Sequence, residues 1–196
     1  MTVGKLVLVT GPATVGKSTV AKALQSELAR SGELCLAVDL TAFTRAVPLE
    51  WFSLGTPGTR QGQYAGLGFT YEPAKDGSIE LTLGSDGRRV FSAFQRSTAA
   101  IVKSGVNTVC ETIVYDDDDW RNWSEALSGI PACWVKLTAP LATLEDREMA
   151  DRTRVLRGLA KGMSAKPPVG IYDIEADTSS ESSREIVQRV IKLLSA

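Results

Sequence analysis

Residues 11–18 read Gly11-Pro12-Ala13-Thr14-Val15-Gly16-Lys17-Ser18, a G-x-x-x-x-G-K-[ST] run. That spacing makes a phosphate cradle. The glycines let the backbone curl so that N–H groups converge on phosphate oxygens, the lysine reaches the outer phosphates, and the serine hydroxyl binds Mg²⁺. Apolar Leu6, Val7, Leu8 and Val9 precede the run; Thr19 and the helix-spaced Val20, Leu24 and Leu28 follow it. This is the strand–loop–helix context the cradle requires, and the helix aims the positive end of its dipole at the same anion. Gly11, Pro12, Ala13, Thr14, Val15, Gly16, Lys17, Ser18 and Thr19 are the expected nucleotide contacts, with a Mg²⁺-bound nucleotide the expected ligand and Lys17 also acting on the transferring group.

Two carboxylates follow apolar runs. Asp39 closes Leu36-Ala37-Val38, and ligands of open α/β sheets bind beyond such strand ends. It could take a proton from an attacking hydroxyl, or it could cap the helix expected over residues 41–47. Glu111, after Val109-Cys110, could order Mg²⁺ together with Ser18 or pair with a neighbouring cation. The acids at 116–119 fit a solvated helix start better than a metal site. Arg147, Arg152, Arg154 and Arg157 crowd one late segment. They suit either a closing lid that stabilises phosphoryl charge or a surface ladder in which Asp151 links Arg147 and Arg154.

The elements that must position these groups alternate. Strands are expected at 5–10, 34–38, 108–114, 132–138 and 174–177, and helices after the phosphate loop and at 41–47, 89–104, 120–127, from Pro140, and at 184–194. Ser182 and Glu185 have capping-box spacing before the last helix. Alternation of this kind predicts an α/β fold, a three-layer P-loop kinase-like domain with five parallel strands and helices on both faces. One domain should span residues 1–196, with an inserted hairpin in an insertion over about 48–88 and a lid over about 147–168, where residues 161–170 read as a loop. Within the insertion, Trp51, Phe52, Phe69 and Tyr71 could wall an acceptor site, with Arg60 fixing a polar group; each aromatic could equally anchor the insertion to the core.

Composition sets bounds. The net charge of −1 argues against a nucleic-acid partner. The absence of histidine removes His-based nucleophile relays and His-ligated metals. Three scattered cysteines give no disulfide framework or paired-Cys metal spacing. The short apolar run at 6–9 cannot span a membrane, so the expectation is a cytoplasmic protein with no membrane partner; oligomeric state is not legible.

Over nearly its whole length the chain resembles the chloramphenicol phosphotransferase-like family of P-loop kinases. The likeness rests on the 11–18 loop, Ala37-Val38-Asp39, Ala46-Val47-Pro48, Ala139-Pro140-Leu141, Leu144-Glu145-Asp146-Arg147-Glu148, Gly158-Leu159-Ala160 and Tyr172-Asp173-Ile174-Glu175-Ala176-Asp177-Thr178-Ser179. The resemblance implies that Asp39 is the general base, that the arginine segment is the lid, and that Asp177, Thr178 and Ser179 lie near the adenine. Two departures stand out. Asp151 occupies the place of the family's second lid arginine, so Arg152 would serve from about 100° further round a helix. Pro167-Pro168-Val169-Gly170 replaces a segment that often carries histidine. The resulting expectation is an ATP-dependent O-phosphotransferase for a hydroxylated antibiotic or nucleoside-type natural product, serving resistance or biosynthetic protection. A kinase of a nucleotide sugar or small metabolite is the alternative, and a non-catalytic nucleotide-binding regulator the third possibility.

Overall fold

The computed structural model describes residues 2–55, 61–152, 156–166 and 169–195. Five strands form one parallel sheet: β1 (Leu6–Thr10), β2 (Cys35–Asp39), β6 (Asn107–Glu111), β7 (Ala132–Thr138) and β8 (Ile174–Asp177), in the order β2-β6-β1-β7-β8. β1 is central and all five of its residues are buried, which is why its sequence shows no polar alternation. The order reverses direction on either side of β1, so the switch point lies at its C-terminal end, where the phosphate loop begins.

Helices cover both faces. α1 (Lys17–Arg30) and α7 (Ser183–Leu194) pack on one side, and the Ser182–Glu185 capping box opens α7. On the other side lie α3 (Ser85–Lys103) and α4 (Asp117–Ala126), with Phe94 and Trp123 in edge-to-face contact at 5.9 Å. Asp116 caps α4 through the Asp119 N–H, and buried Asp119, pushed up to about 6 chiefly by desolvation, accepts from Gln95 and the Tyr115 N–H. The acidic cluster is structural. Cys35, Cys110 and Cys133 are free thiols buried in the core.

Between β2 and α3 the chain leaves the main sheet. After α2 (Leu40–Thr44) a short 3-10 turn leads into β3 (Phe52–Ser53), which pairs in parallel with β4 (Phe69–Pro73); β4 pairs antiparallel with β5 (Ile79–Leu83). The expected hairpin is therefore widened to three strands. Helix α5 (Leu141–Ala150) follows Pro140, and helix α6 (Leu159–Ser164) runs into the 161–170 segment read from sequence as a loop. Buried Glu148 accepts from the N–H groups of Gly158 and Ala160, satisfying donors at the start of α6. On its other side α6 lies against the hairpin: the Ile79 N–H donates to the Gly158 carbonyl, and a side chain at Gly162 would overlap the Ile79 carbonyl oxygen. Among the described residues, no helix is long and apolar enough to cross a membrane.

Candidate active site

The phosphate loop is built by backbone geometry and anchored by its own side chains. Gly11 adopts φ 143 and a Cβ there would overlap the Leu137 carbonyl, while Gly16 adopts φ 99 as the residue before α1. Ala13 and Val15 are buried in the core, so only their backbone faces a ligand. Thr14, with φ 63, holds a conformation costly for a β-branched residue, and its hydroxyl donates to the Leu144 carbonyl of α5 at 2.9 Å. The Lys17 ammonium donates to the Gly11 and Pro12 carbonyls at 2.9 and 2.8 Å, folded over the loop it serves. A glycine-lined concavity crowned by a lysine at a helix N-terminus fits a polyphosphate.

Beside it, the Ser18 hydroxyl donates to Glu111 at 2.6 Å. Glu111 ends β6 rather than sitting in mid-strand, because that strand stops at 111 instead of running to Val114. Burial raises the Glu111 carboxyl above its ordinary range; the Ser18 hydrogen bond opposes this and the Asp39 charge reinforces it. A hydroxyl and a carboxylate in contact form a hard oxygen donor pair suited to Mg²⁺. Among the described residues no group of three or more His, Cys, Asp or Glu could hold a metal, so phosphate oxygens and water would complete such a shell.

Asp39 is in register with Glu111 across β2 and β6. Its Oδ1 accepts from the Thr41 N–H at 2.8 Å, so it caps α2, yet it also lines the cavity that contains Lys17, Ser18 and Glu111. The two readings of Asp39 are compatible. That cavity, of about 730 Å³, runs from the loop to the insertion, where Leu54, Phe69, Tyr71 and Phe91 form an apolar wall.

Not every expected wall residue is there. Trp51 and Phe52 do not line the cavity: Trp51 donates to Asp86 at 3.1 Å and lies tilted against Tyr64, and Phe52 stacks on Phe69 at 4.9 Å. They anchor the insertion: Trp51, at the end of the 3-10 turn, is tied to Asp86 of α3, and Phe52, in β3, lies on Phe69 of β4. Arg60 and Arg154 lie outside the described residues. Sequence reading missed Leu54, Phe91 and Met163 as wall residues. Phe91 was legible only as part of the buried face of α3, which the cavity touches at one end.

The arginine segment also differs from its expectation. α5 ends at Ala150 and Asp151 leaves helical geometry at ψ 96, so the 100° argument for Arg152 lapses; the ladder reading turns on Arg154 and so lies outside the described residues. Arg147 turns to the end of β8 and donates to the Thr178 hydroxyl and carbonyl at 2.9 and 2.8 Å. Arg152 is exposed just past the helix. Asp177 accepts from the Ser179 N–H and hydroxyl, and these bonds hold its carboxyl below the usual range. Arg147, Asp177, Thr178 and Ser179 thus form one hydrogen-bonded corner next to the phosphate loop.

The chloramphenicol phosphotransferase-like protein family matches residues 4–195. No curated protein matches the sequence. Among solved structures, the chain is similar to the APS kinase of Mycobacterium tuberculosis in complex with AMPPNP and APS, at 19% identity, 100% coverage of both chains and a TM-score of 0.68. It is also similar to a sugar kinase from Janibacter, at 17% identity, 98% and 95% coverage and a TM-score of 0.64. A shikimate kinase from Acinetobacter baumannii, in complex with shikimate, matches at 17% identity, 98% and 93% coverage and a TM-score of 0.56. At these identities the likeness is one of fold.

Proposed function

The chain belongs to the chloramphenicol phosphotransferase-like family of P-loop phosphotransferases, and from that premise we propose that it transfers phosphate from ATP to a hydroxyl of a small antibiotic or nucleoside-type natural product. One observation carries the proposal: Asp39 borders both the phosphate loop and an apolar wall of Phe69, Tyr71 and Phe91 within a single cavity. Asp39 Oδ1 is committed to the α2 cap, which leaves Oδ2 to accept the acceptor's proton. Bound Mg-ATP supplies the transferable phosphoryl group. Lys17 and the loop N–H groups hold the phosphates, and Ser18 with Glu111 holds the cation. Arg147, tied to Thr178, steadies the nucleotide end of the site while its charge faces the same cavity.

The acceptor's character follows from the wall. Besides Lys17, the described cations lining the cavity are Arg45 and Arg147, and Arg147 is already engaged. This favours a neutral, partly apolar group at the reacting end of the acceptor, beside Asp39, over a small sugar acid. Either drug inactivation or protection of a biosynthetic intermediate would use the same chemistry. A mass-spectrometric screen for Mg-ATP-dependent monophosphorylation, over hydroxylated antibiotics, nucleosides and small sugars, tests the proposal. An antibiotic or nucleoside as best acceptor is the expected result; preference for small anionic metabolites, or no transfer to any, would sink it.

A further inference from the structure

A second cavity, of about 320 Å³, lies on the other flank of the phosphate loop, against Gly11 and Pro12 and beneath α6. Nothing in the proposed phosphoryl transfer uses it. Its volume suits a ring system rather than an ion or a water cluster. Ile79, Ile113, Val114 and Val169 give it apolar walls, and two tyrosines complete them. Both phenol groups are already satisfied: Tyr115 donates to the Leu81 carbonyl and Tyr172 to the Val169 carbonyl. What the tyrosines offer a ligand is ring surface.

Charge sits at two points of the lining. Lys136 is paired with Glu175 at 3.0 Å and lies 5.5 Å from the Tyr172 ring centre. Lys166 projects from the end of α6 with its ammonium 3.7 Å from the Tyr115 ring centre. Glu175 offsets Lys136, so Lys166 leaves a net positive contribution among these groups. An apolar, ring-walled cavity with a lysine at its margin has the chemistry to take a flat ring system that carries an acidic substituent.

The two cavities are neighbours. Leu81, Ile113 and Met163 line both, so three side chains, one of them a flexible methionine, form the waist between them. We propose that the second cavity is the far compartment of the acceptor site. In this arrangement the acceptor is an elongated molecule: its hydroxyl lies at Asp39, and its other end is a ring system with an acidic group, lodged under α6 beside Lys166. The assignment to the acceptor rests on the phosphotransferase reading above; the cavity's ring-and-anion chemistry does not.

The probe is 8-anilinonaphthalene-1-sulfonate, a ring system with an acidic group and no alcohol to phosphorylate. Titrated into the full chain, it should bind one per protein and accept excitation energy from Trp120, whose neighbour Tyr172 lines the cavity. Val114→Phe, which fills the cavity, should weaken binding about tenfold, as the loss of one good apolar contact does. Lys166→Met removes an exposed charge and should weaken it several-fold, more so at low salt. Tyr71→Leu, in the first cavity, should leave binding unchanged. Circular dichroism and retained nucleotide binding show that each variant is folded. Absence of stoichiometric binding, or equal binding by all variants, overturns the cavity assignment whether or not the chain is a kinase. Where the screen returns an acceptor, the probe should inhibit its phosphorylation competitively with that acceptor. Non-competitive inhibition would overturn the far-compartment assignment. If the screen returns none, the phosphotransfer proposal fails, and the binding titration still decides the cavity.

Discussion

The two halves of the candidate site are constructed in different ways. The phosphate half is one short continuous stretch, 11–19, seated on the most deeply buried strand of the sheet, and its conformation is dictated by Gly11, Gly16 and the helix that follows. The acceptor half is assembled from β4, β5, α3 and α6, distant segments that meet where Lys161, 85 residues on, donates to the Asp76 carbonyl in the turn between β4 and β5. A cradle for an invariant group can be local, whereas a wall for a particular acceptor is set by how distant elements meet. Substitution in the first half should therefore stop the chemistry outright, and substitution in the second should retune it.

Lys17→Ala is the strongest test of that division. Its ammonium donates to the Gly11 and Pro12 carbonyls and its side chain is not part of the buried core, so the fold should survive while phosphoryl transfer is lost. Turnover measured beside a thermal melt separates the two. Wild-type turnover in a correctly folded variant would remove the phosphate loop from the mechanism.

Asp39→Asn comes next. Asparagine caps helices as well as aspartate does, so α2 should be retained, while loss of the basic oxygen should cost on the order of 10²–10⁴ in kcat. A variant with normal kcat and a lowered melting temperature would leave Asp39 with the cap alone.

How legible these halves were follows from the same difference. The loop, its strand and its helix were readable because each cue acts within a few residues. β7 and β8 were read to the residue, since their flanks carry local breaks. α6 was not. Gly158, Gly162 and the prolines at 167–168 all argue for a loop by propensity. The structure gives Gly162 another purpose: it admits the Ile79 backbone, so tertiary packing selects glycine against helix preference. Trp51 and Phe52 failed for the opposite reason. Aromatic residues in an insertion look alike in sequence whether they face a cavity or a neighbouring helix, and here the 3-10 turn and the two-residue β3 after it, both too short to read, decide which.

Gly162→Ala exploits the α6 packing. A methyl group there must displace either α6 or β5, costing about 1–3 kcal/mol as overpacking does. Because α6 borders both cavities, the acceptor KM should rise while ATP binding, measured by calorimetry, stays near wild type. Equal loss of ATP affinity would mean that the two halves are not separable.

The smallest effects sharpen the comparison within the acceptor half itself, through a pair of aromatic substitutions. Tyr71→Leu changes a cavity wall, and should raise the acceptor KM about tenfold, roughly 1.4 kcal/mol, with little change in the KM for ATP. Trp51→Phe keeps a ring against Tyr64 but loses the hydrogen bond to Asp86, so it should lower stability by about 1 kcal/mol, the usual net worth of such a bond. Its kinetic constants should be unchanged, since Trp51 is absent from the cavity lining. The Asp86 carboxyl, held below its ordinary range first by Trp51 and then by Arg89, should move upward in the variant. That shift, followed by carboxyl NMR, reports loss of the bond independently of stability. Should Trp51→Phe alter acceptor KM as strongly as Tyr71→Leu, the distinction between anchor and wall would collapse, and the insertion would act on the acceptor as one cooperative unit.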